Sequence, residues 1–144
     1  MPSNFARTGV LIIVLTAIFV AMGAVVGGQE GMVIAFIIAM ATNAYAYWNS
    51  DTVVLKMFKA QEISATDAPQ LYQVVAVLAA RAELPMPKVY VVNSPQPNAF
   101  ATGRNPSNAA VAVSSGLLDT LDIHELAGVV AHELAHVRNR DTLT

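Results

Sequence analysis

The sequence predicts a membrane-anchored α+β chain. Residues 1–54 form an N-terminal transmembrane helical hairpin, and residues 55–144 a helix, two short strands and a final helix bearing a two-histidine motif. Three observations predict this. Two uncharged apolar runs stand back to back near the N-terminus, and after about Val54 the composition becomes that of a soluble α/β segment. All three histidines lie in His124-Glu-Leu-Ala-Gly-Val-Val-Ala-His-Glu-Leu-Ala-His136, which contains His-Glu-Leu-Ala twice.

The first run, Thr8 to Gly28, carries no charge and is long enough at 1.5 Å per residue to cross a hydrocarbon core of about 30 Å. The second, Gly31 to Ser50, follows after only Gln29 and Glu30, so short a link that the pair reads as a hairpin. Asn43 interrupts the second run, and its continuous apolar part, Met32 to Ala41, has an interfacial or re-entrant segment as its alternative reading. A signal peptide flanked by Arg7 competes for the first run, but that run is longer than such peptides carry and the next follows at once. Arg7 precedes the pair, Lys56 and Lys59 follow it, and the link has no basic residue, which puts both ends on the cytoplasmic side. Tyr45, Tyr47 and Trp48 would then share an interface with Phe5 as an aromatic belt.

In the second part, Lys56 to Ala65 is a juxtamembrane connection. Ser64-Ala-Thr-Asp-Ala-Pro69 reads as a helix start, with Thr66 or Asp67 as the cap and proline in the first turn. Leu71, Val74, Val75, Leu78, Ala79 and Ala82 recur on one helical face, a core-packing pattern. Pro85 and Pro87 end that helix, and Lys88 to Val92 forms a strand before the turn residues Asn93 to Pro97. Ala109 to Ser114 forms the second strand. Asn98 to Gly103 is a turn burying Phe100, or a segment shaping the cleft wall beside the last helix.

That last helix begins at about Ile123, where Asp122-Ile-His-Glu125 has the form of a capping box, and runs through Val137. His132 and His136 are about 40° apart around it and ~6 Å apart along it, so two imidazoles share one face and can share one zinc ion. Glu133, at the edge of that face, can act on water at the metal as general base. The first copy fails the same test, because Gly128 stands four residues after His124. His124 is also about 80° and ~12 Å from His132, too far for a shared ion, and reads as a partly solvated first-turn residue. Glu125 is accounted for as the cap partner.

Composition narrows the chemistry. The chain is 55% hydrophobic and 12% charged with a mean hydropathy of +0.51, too apolar for an ordinary soluble domain. A net charge of −2 offers no basic field for nucleic acid. With no cysteine, thiol chemistry and Cys-ligated zinc are excluded, which leaves His, Asp and Glu. Catalytic zinc takes three protein ligands, and no other carboxylate sits in a motif that would return it to the two histidines. Asp141, five residues past His136, is out of phase with the ligand face and suits a supporting role.

His132-Glu-Leu-Ala-His-Val-Arg-Asn-Arg-Asp141, preceded by Pro97-Asn-Ala-Phe-Ala-Thr-Gly103 and Val111-Ala-Val-Ser-Ser-Gly-Leu-Leu118, resembles the HtpX-type membrane zinc metallopeptidases along the whole chain. The resemblance implies a partial zincin-like domain of gluzincin type, in which, by analogy, Ala109 to Ser114 is read by preference as an edge strand to which an extended substrate adds, the alternative being an ordinary core strand. It further implies one zinc ion per chain on His132 and His136, with Glu133 as base and Asn139 and Asp141 matching the motif's tail. The third ligand would be a Glu on a helix downstream of Thr144. It also implies a multi-pass endopeptidase of the bacterial inner membrane, facing the cytoplasm and degrading misfolded or damaged membrane proteins. Two other readings stand beside it: an inactive fragment or non-catalytic membrane protein with an incomplete two-His site, and a hydrolase with its motif inside the bilayer. The soluble composition from Lys56 onward argues against the latter.

Overall fold

The computed structural model describes residues 4–142 and divides into two units, one through Asn49 and one from Ser50. The first unit is a helical stretch, α1 (Asn4–Trp48), broken by non-helical torsions at Gly27 (φ −129°, ψ 16°) and Gly28 (φ 58°, ψ −142°). The Gly28 conformation is closed to residues with a Cβ. A straight helix would hold Thr16 and Asn43 about 40 Å apart, yet the Asn43 amide donates to Thr16 Oγ1 at 3.3 Å. The two arms of α1 therefore lie side by side. Gly23 and Gly31 allow a close approach between the arms, since a Cβ at Gly23 would fall 2.5 Å from the Gly31 carbonyl oxygen.

The stretch Ala6–Trp48 is long and apolar enough to cross a membrane, and its most apolar window has no buried residue. Tyr45, Tyr47 and Trp48 are exposed at its end. The side chain of Phe5, expected to join them, lies outside the described residues.

The second unit is an α+β layer structure. In chain order it holds α2 (Ser50–Met57), β1 (Gln61–Ile63), α3 (Pro69–Arg81), β2 (Lys88–Val92), β3 (Ala99–Gly103), a 3-10 turn (Pro106–Asn108), β4 (Ala109–Ser114), α4 (Ser115–Thr120) and α5 (Ile123–Asn139). The strands form one mixed sheet in the order β1-β2-β4-β3. β4 runs parallel to β2, and β1 and β3 are antiparallel to their neighbours.

Two expectations change here. The sheet has four strands rather than two: β1 arises within the juxtamembrane connection and β3 within the segment read as a turn or cleft wall. Ala109 to Ser114 is central, not an edge, and all six of its residues are buried. Its alternation explains why. Val111 and Val113 pack with Val89, Leu71, Val75, Val130 and Leu134 on one side of the sheet. Ala110 and Ala112 pack with Leu55, Val92, Tyr90 and Phe100 on the other. A strand covered on both faces reads as a continuous apolar run. The edge beside it is β3. Leu55 in that second cluster also ties α2 to the sheet unit.

The start of α3 differs as well. Its N-cap is Ala68, with Pro69 in the first turn and no side-chain cap. Asp67 instead closes the preceding turn, accepting from the Ser64 amide at 2.8 Å and the Ser64 hydroxyl at 2.7 Å. Those two donors hold the Asp67 carboxyl below its ordinary range, the backbone contact foremost.

Beyond β4, the buried Ser114 hydroxyl accepts from the Leu117 amide at 3.2 Å to start α4 and from the Asn98 amide at 2.8 Å to anchor the start of β3. Gly116 completes this junction. Its amide donates to the Ser94 carbonyl at 2.9 Å, and a Cβ at Gly116 would collide with the Pro95 carbonyl. The loop before β3 is thereby held against the start of α4, which fixes where β3 lies.

Candidate metal and catalytic centre

The centre is built on α5. The Asp122 carboxylate accepts from the His124 and Glu125 amides at 2.8 and 2.9 Å, and the Glu125 carboxylate accepts from the Asp122 amide at 3.0 Å. The capping box read from the sequence is thus present. The Glu125 amide is the main cause that lowers the Asp122 carboxyl below its ordinary value. Leu126, Val130, Leu134 and Val137 form the buried stripe of the helix. That stripe fixes the rotation of α5 and leaves His132 exposed, with Glu133 and His136 half-buried.

Nε2 of His132 lies 3.2 Å from Nε2 of His136, with the ring centroids 4.7 Å apart and the planes at 89°. Two nitrogens bound to one tetrahedral zinc at ~2.0–2.1 Å would stand about 3.4 Å apart, so the separation of this pair suits a shared ion. Among the described residues no group of three or more His, Cys, Asp or Glu side chains could hold a metal ion. The structure thus brings together two donors. His124 stays exposed on the first turn, apart from them.

Nδ1 of His136 is 3.0 Å from Asp141 Oδ1. A carboxylate only accepts, so Nδ1 carries the proton and Nε2 presents its lone pair, the tautomer a metal requires. The chain reaches this position through Arg140, which ends α5 in the left-handed region (φ 57°, ψ 38°) with its amide turned back to His136 and Val137 carbonyls. One residue further, Thr142 Oγ1 donates to the Gly103 carbonyl at 2.9 Å.

Glu133 faces β3: its Oε2 accepts from the Ala101 amide at 3.0 Å. The candidate base therefore touches the edge strand directly. Neither Ala101 nor Thr142 stands out as a site residue in the sequence, because Ala101 acts through its main chain and Thr142 through a contact 39 residues away. The only signal was the Asn98 to Gly103 segment as a whole.

Residues 65–144 match peptidase family M48. The chain is also similar to a protein described as "Protease HtpX homolog" from Methylibium petroleiphilum, with 58% identity over 140 residues. That match covers 97% of this chain and 50% of the relative, so the chain spans about half the length of the curated relative it matches. Within the family match stand the sheet's β2, β3 and β4, the two facing histidines and the glutamate between them. The chain belongs to peptidase family M48, among its HtpX-type metallopeptidases.

Proposed function

We propose that this chain belongs to a zinc-dependent endopeptidase in which His132 and His136 hold the metal and Glu133 is the general base. The observation that carries this is the 3.2 Å approach of the two Nε2 atoms, with the glutamate that follows the first histidine turned toward β3, the outer strand of the sheet. When bound, zinc would polarise the scissile carbonyl and make water more acidic. Glu133 takes a proton from the attacking water as its oxygen bonds to the carbonyl carbon. It then delivers that proton to the amine nitrogen as the carbon–nitrogen bond breaks. Asp141 holds His136 in the binding tautomer. β3, the outer strand of the sheet among the described residues, would align an extended peptide by main-chain pairing. The third ligand is expected from sequence downstream of Thr144.

For the rest of the protein, we infer a multi-pass protein of the bacterial inner membrane whose two α1 arms span the bilayer as a hairpin. Arg7, Lys56 and Lys59 favour a cytoplasmic peptidase domain. Misfolded or damaged membrane proteins would be its substrates. The apolar, outward-facing side chains along both arms and the exposed Tyr45, Tyr47 and Trp48 support the membrane assignment.

Glu133→Gln in the full-length protein tests the chemistry. Zinc stoichiometry should be unchanged while peptide cleavage falls by at least ~10²-fold. Cleavage at the wild-type rate would remove Glu133 from the role of base.

A further inference from the structure

Antiparallel pairing fixes which way each residue of β3 turns its main chain. The Ser114 amide donates to the Asn98 carbonyl at 2.9 Å, so residues 98, 100 and 102 direct their N–H and C=O groups at β4. Ala99, Ala101 and Gly103 then direct theirs away from β4, to the side of β3 where no strand pairs among the described residues. Two of these outward groups are engaged within the chain itself. The Ala101 N–H donates to Glu133 Oε2, and the Gly103 C=O accepts from Thr142. Ala101 is the middle outward residue, and a peptide adding along β3 needs its N–H as a donor. That donor is held by the base.

We propose that the main-chain N–H of Ala101 is a positioning group shared by Glu133 and an extended substrate. Without substrate it holds the carboxylate against β3; when a strand docks, the N–H passes to a substrate carbonyl and Oε2 is released toward the water it must deprotonate. The proposal rests on the reading of Glu133 as base. One N–H makes one well-aligned hydrogen bond, so the two acceptors compete for it. A bond to an ionised carboxylate is also stronger than one to a neutral carbonyl, which makes the resting contact the default. Docking of a strand then couples substrate alignment to the freeing of the base.

The side chain of Ala101 takes no part, so the decisive variants are at Glu133. Glu133→Gln removes the charge but keeps an acceptor oxygen; Glu133→Ala removes both. In the zinc-loaded, full-length protein, amide hydrogen exchange at Ala101 should be slow in wild type and in Glu133→Gln, and at least about ten-fold faster in Glu133→Ala. A non-cleaved extended peptide, its scissile amide replaced by a methylene-amine link, should restore the protection in Glu133→Ala. It should also bind Glu133→Ala about five-fold more tightly than Glu133→Gln, the worth of one net hydrogen bond. Equal exchange at Ala101 in wild type and Glu133→Ala, or equal peptide affinity in the two variants, would overturn the proposal. Wild-type hydrolysis of the parent peptide is scored separately. Hydrolysis with unchanged exchange sinks only the shared N–H, whereas no hydrolysis sinks the peptidase reading.

Discussion

The Asp141 carboxylate stands 3.0 Å from Nδ1 of His136 because the backbone reverses at Arg140, just past the end of α5. The contact orients one imidazole and fixes its tautomer. Outer partners of this kind contribute to metal affinity. Asp141→Ala in the full-length protein should therefore weaken zinc binding by about 10–100-fold, read by competition with a chelator. Unchanged affinity would show that the carboxylate does not set the ring.

Thr142→Val keeps the shape of the side chain and removes the hydroxyl that reaches Gly103. Denaturant unfolding should show a loss of about 0.5–1.5 kcal/mol, the net value of one hydrogen bond. No loss would mean that the tail is not held at β3.

Gly116→Ala tests the junction that places β3. The added carbon meets the Pro95 carbonyl, a backbone atom that cannot rotate away. The expected cost is about 1–3 kcal/mol in unfolding free energy. A stable variant would argue that the 94–97 loop shifts freely.

The pH dependence of the α5 cap has a definite sign. Folding lowers the Asp122 carboxyl from its ordinary value near 3.8. Its contribution is therefore complete above that value and is lost as pH falls through the lower folded value. The stability difference between wild type and Asp122→Ala should be largest near neutral pH and should narrow below about pH 4. A difference that widens on acidification would contradict the cap. Asp67 is lowered in the same direction and loses its contribution in the same acid window.

The fold-back of α1 can be tested by cross-linking, since the chain has no cysteine of its own. Thr16→Cys combined with Asn43→Cys should form an intramolecular disulfide in membranes under mild oxidation. A pair placed at Thr16 and Val26 should not. Failure of the first pair would separate the two arms.

Much of this protein was determined by local sequence. The helix of the site was legible because its signals are contiguous: a capping box at Asp122, an apolar stripe at helical spacing, and two histidines one turn apart. Helical periodicity alone separated His132 and His136 from His124, and β2 matched its run of β-branched residues and tyrosine.

Only the tertiary structure decided the sheet order and what the base touches. Ala109 to Ser114 has no charge to mark either face, so its sequence suits an edge or a centre equally. The helices covering both faces, and β3 folding back beside it, make it central. Ala99 to Gly103 lacks a strong strand pattern and becomes the edge through anchoring at Ser114 and the close approach at Gly116. Contacts such as Ala101 to Glu133 and Gly103 to Thr142 join main-chain atoms to residues 32 and 39 positions away. Main-chain donors and acceptors are the same at nearly every residue, so no side-chain pattern announces which ones meet.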